Sequence, residues 1–105
     1  MILCTTDQVP GREIREAIGL VRGNTVRSRH LGRDISAGFK RLVGGAIEEY
    51  TKLLAESREQ ALDRMIAEAR ARGADAVVGL RFTSSEISAG SAEFVAYGTA
   101  VRLSG

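Results

Sequence analysis

The chain has 105 residues, of which 44% are hydrophobic and 27% charged, a composition typical of a single globular domain with its own core. Its one cysteine, Cys4, excludes an intrachain disulfide, and no apolar run is long enough to span a bilayer. Because no secretory signal is visible at the N-terminus, we expect a cytoplasmic protein.

The first segments of the chain predict extended structure. Residues 2–6 are apolar and rich in threonine, and the Pro10-Gly11 pair that follows them is a turn signal. Residues 13–29 are ambiguous, because residues 12–18 could also form two helical turns. Their β-branched residues and glycines disfavour a continuing helix, so we predict a strand, with a bulge or a close backbone approach at a glycine.

Two helices are predicted next. Asp34 is a candidate N-cap for a short helix that ends at Gly44-Gly45. The apolar side chains of this helix fall on one stripe, formed by Ile35, Phe39, Leu42 and Val43. A longer helix is predicted from about residue 47 to residue 72, where apolar residues recur at helical spacing. Gly73 suits the left-handed position just beyond its end.

The C-terminal third of the chain predicts a β-hairpin. Residues 76–83 alternate between two faces with a period of two and predict a strand. Residues 84–92 are polar without a sustained period and predict a loop, whereas residues 93–103 predict a final strand. Because the connection is short, we expect the two strands to pair in antiparallel fashion.

The final strand is apolar on both of its faces. The apolar side chains are Val95, Tyr97, Val101 and Leu103 on one face and Phe94, Ala96 and Ala100 on the other. The helices can cover only one face of a small sheet, whose other face would ordinarily be polar. The second face therefore needs a partner, and we expect a second copy of the chain. The alternative is that the N-terminal segment folds over this face within one chain.

Positive charge is unevenly distributed along a chain whose formal net charge is only +2. Between Arg22 and Arg41 six bases accompany one acid, Asp34, so this stretch carries +5. Such a stretch could bind nucleic acid or another phosphate polymer. We prefer a solvated arginine face or salt bridges between subunits, because no aromatic residue lies between Arg22 and Arg33 to stack on a base.

A set of short segments carries a family resemblance. They are Pro10-Gly11-Arg12-Glu13-Ile14, Leu20-Val21-Arg22-Gly23-Asn24-Thr25-Val26-Arg27, Gly32-Arg33-Asp34-Ile35, Leu42-Val43-Gly44-Gly45, Glu49-Tyr50-Thr51, Gly73-Ala74-Asp75-Ala76-Val77-Val78-Gly79 and Ala96-Tyr97-Gly98-Thr99-Ala100-Val101. In their order and spacing they resemble the YbjQ-like family over essentially the whole chain. The resemblance implies an α+β subunit of the dodecin-like type, with a small antiparallel sheet packed by one long and one short helix. It also implies a ring-shaped homo-oligomer, specifically a pentamer.

The family is largely uncharacterised and carries a heavy-metal-binding label without a motif that maps residue by residue. Soft metals need convergent thiolates or imidazoles, so Cys4 and His30 are the candidate metal ligands. The structural alternatives are a small buried hydrophobe for Cys4 and a surface or interface residue for His30, which lies among cations that oppose metal binding. A ring could still repeat one such side chain around its axis to build a site. The family label alone suggests a metal ion as a cofactor, and the sequence does not identify one.

No catalytic constellation is visible in the sequence. There is one histidine, no dinucleotide fingerprint and no Walker sequence, so we predict a protein that is not an enzyme. The candidate ligand-binding residues are Glu16, Arg27, Arg33, Asp34 and Tyr50, which could line a small-ligand pocket between subunits. Their structural alternatives are a helix cap for Asp34, an Arg33–Glu16 ion pair and a place on the apolar helix stripe for Tyr50. The preferred function is thus a ring-forming module that binds a small ligand or metal ion, and the alternative is nucleic-acid binding.

Overall fold

The computed structural model of the chain describes residues 1–28, 45–88 and 91–105, with side chains described for residues 1–26, 51–86 and 92–105. These ranges form four strands and one helix: β1 (Ile2–Leu3), β2 (Ile14–Ser28), α1 (Gly45–Ala71), β3 (Ala76–Ser88) and β4 (Ser91–Leu103). The expected α+β class is confirmed. The predicted short helix that begins at Asp34 lies outside the described residues.

The four strands form one mixed sheet in the order β1-β3-β4-β2. β4 pairs in antiparallel fashion with both β3 and β2, so the predicted hairpin is confirmed. β1, however, pairs in parallel with β3, placing Ile2 beside Ala76 and Leu3 beside Val77. The prediction of a purely antiparallel sheet is therefore wrong at this edge. The chain continues from β1 to β2 on the opposite edge, so no hairpin turn forces β1 and β3 to run in opposite directions.

Residues 14–28 form a strand, as predicted, and not two helical turns. A register shift marks a bulge at Gly19, whose φ of 135° is a conformation that favours glycine. The predicted close backbone approach occurs at Gly23. A Cβ atom there would collide with backbone atoms of Ala61 and Met65, so α1 packs directly on the backbone of β2.

The core lies between α1 and one face of the sheet. Its fully buried helix residues are small or flexible and recur every four positions, as Ser57, Ala61, Met65 and Ala69. Val21 of β2 and Ala96 and Ala100 of β4 face them across the interface. Small side chains on both surfaces let the helix approach the sheet closely, which explains why a glycine is needed on β2.

The helix ends where the sequence predicts. Gly73 has a φ of 78°, its N–H bonds to the carbonyl of Arg70 (3.0 Å), and the N–H of Ala74 bonds to the carbonyl of Ala69 (3.0 Å). This pair of bonds is the Schellman motif, which satisfies carbonyl groups that the last helical turn leaves free. The start of α1 at Gly45 lies two residues before the predicted position.

The predicted loop over residues 84–92 is wrong, because β3 continues to Ser88 and β4 begins at Ser91. Cross-strand pairs such as Ser84 with Phe94 and Glu86 with Ala92 extend the hairpin through this segment. Backbone hydrogen bonds to an adjacent strand hold a polar segment extended without any apolar alternation. Local hydropathy therefore underestimates the length of a strand whose neighbour is already in place.

The molecule is elongated along its strands. It measures 57 × 24 × 18 Å, and its Cα radius of gyration is 17.2 Å, against about 13 Å for a compact domain of this length. A strand of 15 residues spans about 50 Å, so β2 alone accounts for most of the long axis. Among the residues that the structure describes, no helix is long and apolar enough to cross a membrane.

Candidate interaction face

The sheet has one face toward α1 and a second face that the N-terminal segment covers at one end. Val9 is buried there and packs with Ala76, Val78, Val101 and Leu103, and the half-buried Cys4 lies against the same cluster. This segment follows β3 through backbone bonds, from Cys4 N–H to the Val77 carbonyl (2.9 Å) and from Leu80 N–H to the Cys4 carbonyl (3.0 Å). The within-chain alternative for covering the second face is therefore correct for this end of the sheet.

Beyond the N-terminal segment, no described part of the chain covers the second face. We call this area the bare face; its main side chains are Leu20, Arg22 and Val26 of β2, Arg81 of β3, and Val95 and Tyr97 of β4. Leu20 is 60% exposed, Val26 54% and Tyr97 36%. Single exposed apolar residues are ordinary on protein surfaces, but three large ones on one sheet face form a patch of the kind found at interaction sites.

Two arginines flank the tyrosine at the centre of the bare face. Arg22 of β2 and Arg81 of β3 both lie opposite Tyr97 of β4, so the three side chains form one row across three adjacent strands. Side chains opposite each other in neighbouring strands have Cβ atoms about 5 Å apart, which is within contact distance for a ring and two guanidinium groups. Tyrosine and arginine are enriched at protein interfaces, where they supply much of the binding free energy.

The two arginines differ in how they are held. Arg81 donates through Nη1 to the carbonyl oxygens of Thr5 and Leu80, both at 2.8 Å, which ties its guanidinium to the covered end of the sheet. Arg22 is exposed and forms no ion pair with any described carboxylate; the one ion pair in the described part of the chain joins Arg102 to Glu16. Arg22 is therefore available to an anionic group that the described residues do not supply.

The outer edge of β2 is closed by side chains from the end of α1. Arg72 donates to the carbonyl of Leu20 through Nη1 (2.8 Å) and to the carbonyl of Ile18 through Nη2 (3.1 Å). These carbonyls point away from β4, so they are the groups that an added strand would need. Arg72 occupies them with a single guanidinium.

Two further side chains of α1, one and two helical turns before Arg72 and on the same side of the helix, also bond to the outer edge of β2. The Glu68 carboxylate accepts a hydrogen bond from the backbone N–H of Arg22 (3.0 Å), and Arg64 donates to the carbonyl of Asn24 (2.6 Å). Because Arg64, Glu68 and Arg72 are four residues apart, they form one stripe on the helix. We call these three side chains the edge clamp. The clamp blocks pairing of another chain with β2 between residues 18 and 24 and leaves the bare face open.

Of the predicted ligand-binding residues, the structure describes Glu16 and the backbone of Arg27, and these two lie far apart on β2. Glu16 is exposed and accepts a hydrogen bond from Arg102 Nη1 at 3.0 Å, and Arg27 lies near the other end of the same strand. Eleven residues of strand separate the two by about 35 Å. Tyr50 belongs to α1, but its side chain is not among those described, and Arg33 and Asp34 lie outside the described residues.

The described residues of one chain do not fit a heavy-metal ion. No three histidine, cysteine, aspartate or glutamate side chains come together in the ranges that the structure covers. The half-buried thiol of Cys4 packs against an apolar cluster, which offers no second ligand and no counter-charge for a cation. This placement agrees with the structural interpretation of Cys4, while His30 lies outside the described residues.

The row formed by Arg22, Tyr97 and Arg81 was not predicted from the sequence. Residues 22 and 97 are remote in sequence, and the absence of an aromatic residue near Arg22 argued against a mixed basic and aromatic surface. The sheet register brings Tyr97 to that position. The one available signal was the alternation of β4, which predicted Tyr97 on one of two apolar faces without indicating which of them needs a partner.

The described residues form a small α+β fold in which they leave part of one sheet face open, and comparison with known proteins identifies its class. A family model of the YbjQ type, described as "Putative heavy-metal-binding", matches residues 1–104, so the chain belongs to the YbjQ family. This confirms the resemblance stated above.

Its relatives cover almost the whole chain. The UPF0145 protein of Archaeoglobus fulgidus is 59% identical over 103 residues, which are 98% of this chain and 95% of that protein. The UPF0145 protein of Thermotoga maritima is 57% identical over 103 residues, covering 98% and 97%. A crystal structure of a protein of unknown function from Pediococcus pentosaceus, of the DUF74 family, aligns with a TM-score of 0.64 at 16% identity, covering 99% of this chain and 98% of that one. At this identity the likeness shows a shared fold alone.

Proposed function

We propose that this protein is a cytoplasmic, non-enzymatic binding module that works as a homo-oligomer, with its subunits in contact through the bare face. The observation that carries the proposal is the exposure of Leu20, Val26 and Tyr97 on the bare face, which no described residue covers. Burying one such side chain stabilises an assembly by about 1.5–3 kcal/mol. Association at micromolar concentration needs a net binding free energy of about 8 kcal/mol after the lost freedom of the separate chains is offset, and burial of these half-exposed side chains supplies part of it.

Closure of the β2 edge supports contact through a face. An exposed strand edge invites pairing with another chain, and the edge clamp removes that option over residues 18–24. A contact through the bare face instead buries side chains and leaves the backbone pairing of the sheet unchanged. The ring, and the pentamer that the family resemblance implies, are part of this proposal.

Native mass spectrometry and sedimentation velocity test the self-association. We expect the purified chain to form one discrete oligomer, and Leu20→Ser combined with Tyr97→Ser to shift it toward monomer. Phe82→Ser is the matched control, because Phe82 is 45% exposed yet lies on the helix face of the sheet, opposite Ala96. A chain that remains monomeric at all working concentrations would refute the proposal, as would equal loss of assembly in the control.

The ligand is the second part of the proposal, and it rests on the family description together with self-association. Glu16 and Arg27 lie too far apart for one chain to use both, so a pocket built from Glu16, Arg27, Arg33, Asp34 and Tyr50 requires more than one subunit. Mass retained on the oligomer in native mass spectrometry would reveal a small ligand. The absence of retained mass from freshly purified oligomer would remove this part of the proposal.

A metal ion would need Cys4 or His30 to be repeated around a symmetry axis. Elemental analysis of the purified protein, repeated with Cys4→Ser and His30→Ala, tests this arrangement. We expect a fixed ratio of metal to subunit that one of the two substitutions abolishes. No stoichiometric metal after purification from metal-replete medium would end the metal hypothesis.

Nucleic-acid binding through the stretch from Arg22 to Arg41 is the alternative function, and one observation favours it. The sheet register places Tyr97 beside Arg22, which supplies the aromatic side chain that a base-stacking surface needs. Binding of single-stranded oligonucleotide should then weaken linearly on a log–log plot against salt. The absence of binding at low salt would eliminate this alternative.

A further inference from the structure

The N-terminal segment, residues 1–12, covers an apolar part of the sheet while burying little of itself. Val9 is the one buried side chain of the segment, whereas the side chains of residues 1–3 are each more than a third exposed. The sheet side chains beneath the segment are at most 5% exposed; they are Ala76, Val78, Val101 and Leu103. Parts of a fold that bury few apolar side chains of their own are the parts that open at the lowest free energy.

β3 is shaped to receive this segment. In a regular strand, consecutive N–H groups point to opposite sides, but the bulge at Gly79 turns the N–H groups of Gly79 and Leu80 the same way. Gly79 donates to the carbonyl of Thr6 (2.8 Å), and Leu80 donates to the carbonyl of Cys4 (3.0 Å). The carbonyl between these two accepts a bond from Arg81 Nη1 (2.8 Å). Three consecutive carbonyls thus meet three consecutive residues of β3, which defines one closed position of the segment.

A turn at the end of the segment supplies a hinge. The carbonyl of Val9 accepts a bond from the N–H of Arg12 (3.0 Å), and the φ of 79° at Gly11 is that of a type II turn. No described atom lies within 4 Å of the position that a Cβ atom at Gly11 would take, so the turn is not packed against the sheet. Directly after the turn, the carbonyl of Glu13 accepts a bond from the N–H of Ser104 (2.9 Å). The start of β2 is therefore anchored independently of the segment before it.

We propose that the N-terminal segment is a latched cover, which opens as a unit about the turn at residues 9–12 while the rest of the fold stays intact. Arg81 is its latch, because it fastens the segment from the side of the bare face. Opening uncovers Val101 and Leu103, which lie on the same face of β4 as Tyr97. The apolar area of the second face then extends from the bare face to the end of β4. The position of the segment thus sets how much of this face a partner can reach.

Amide exchange of the native full-length chain tests independent opening. We expect the amides of Gly79 and Leu80 to exchange at rates that change little with urea below the unfolding transition, because opening of the segment exposes little surface. The amides that pair β2 with β4 should require global unfolding and show its full urea dependence. Labelling of Cys4, the one cysteine of the chain, with a thiol reagent gives a second measure of the same opening.

Two substitutions should release the cover without unfolding the protein. Val9→Ser removes the apolar side chain that the segment buries, and we expect it to accelerate exchange at Gly79 and Leu80 at least tenfold. Arg81→Ala removes the latch and should accelerate the same exchange about fivefold, the effect of one lost hydrogen bond. Labelling of Cys4 should accelerate by similar factors in both variants.

Matched controls separate opening of the segment from a general loss of stability. Asp7→Asn changes an exposed side chain within the segment and should alter neither rate. Met65→Ala weakens the core on the opposite face of the sheet, so it should accelerate exchange between β2 and β4 but not the opening of the segment. The urea dependence of the wild type gives the same distinction if Met65→Ala does not fold.

Three outcomes would overturn this inference. Full urea dependence at Gly79 and Leu80, or equal acceleration by Met65→Ala and Val9→Ser, would mean that the segment opens only when the whole fold does. Wild-type rates as fast as those of the unfolded chain would show that the segment is not closed. Unchanged rates in Arg81→Ala would show that Arg81 is not a latch. None of these results depends on whether copies of the chain associate, so the proposed function stands or fails separately.

Discussion

Gly23 of β2 lies directly beneath the backbone of Met65 in α1, and the nitrogen of Met65 occupies the space that a Cβ atom at Gly23 would need. The helix therefore contacts the backbone of the strand at this point, and no side chain separates them. This contact sets the depth at which α1 sits on the sheet. It follows that the position of α1 on the sheet depends on one glycine.

Gly23→Ala should destabilise the fold strongly. The added methyl group would meet backbone atoms on both sides, which cannot rotate away, so we expect a loss of about 3 kcal/mol, at the upper end for an overpacked core. Urea unfolding followed by circular dichroism measures it. Arg58→Ala, a substitution of an exposed side chain of α1, is the control. Equal midpoints for the two variants would contradict direct helix–strand contact.

Met65→Ala should leave a cavity at the centre of the core. Met65 is fully buried between α1 and the sheet, and truncation of such a side chain costs about 2–5 kcal/mol. Arg58→Ala, an exposed substitution in the same helix, should change the free energy of unfolding by less than about 0.5 kcal/mol. If both variants unfolded at the same urea concentration, the assignment of the core would be wrong.

Removal of the edge clamp should expose the outer edge of β2. Arg72→Ala deletes the bonds to the carbonyls of Ile18 and Leu20, which we expect to cost about 1 kcal/mol. Amide exchange in β2 should accelerate, and the protein should aggregate sooner on heating, because an open edge can pair with other chains. Arg70→Ala, in the last turn of the same helix, is the comparison. Unchanged exchange and aggregation in Arg72→Ala would show that the clamp does not protect the edge.

Gly73→Ala tests the end of the helix. At a φ of 78° a Cβ atom is strained, and alanine in this position should destabilise the fold by about 1 kcal/mol. Thermal unfolding of the variant measures the change. Ala71→Gly, within the last helical turn, should also destabilise, but through helix propensity, and by no more than about 1 kcal/mol. A Gly73→Ala variant as stable as the wild type would argue against the left-handed conformation.

Cys4→Ala separates a structural role of this residue from a metal-binding one. The thiol packs against an apolar cluster, so alanine should keep the fold and cost about 1 kcal/mol, whereas any stoichiometric metal that depends on Cys4 would disappear. Chemical denaturation and elemental analysis of the same preparation give both answers. A folded Cys4→Ala variant with unchanged metal content would identify Cys4 as a packing residue alone.

The local patterns of the sequence predicted most of the elements. The helical spacing of apolar residues before Gly73 located α1 to within two residues at each end, because one side of a helix must be buried along its whole length. The same logic identified the β3–β4 hairpin. It failed over residues 84–92, where a neighbouring strand and not hydropathy keeps the chain extended.

The faces of β3 were predicted only in part. Strict alternation puts Val78 and Arg81 on opposite faces of the sheet. A register shift between them pairs Val78 with Thr99 and Arg81 with Tyr97, and both of these partners lie on the bare-face side of β4. Gly79, with a φ of 62°, lies within this irregularity and allows it. A single extra residue in a strand reverses every later side chain, and nothing in the local pattern reveals it.

The sequence by itself determined the length of α1, the presence of the hairpin, the two apolar faces of β4 and the membership of the YbjQ family. Each of these depends on local periodicity or on short segments of the sequence. The tertiary structure decided which part of the second face the N-terminal segment covers, that Tyr97 meets Arg22 and Arg81, and that α1 closes the edge of β2. These contacts join residues remote in the chain, and their register is set by close packing at Gly23 and by bulges, which are properties of the assembled sheet.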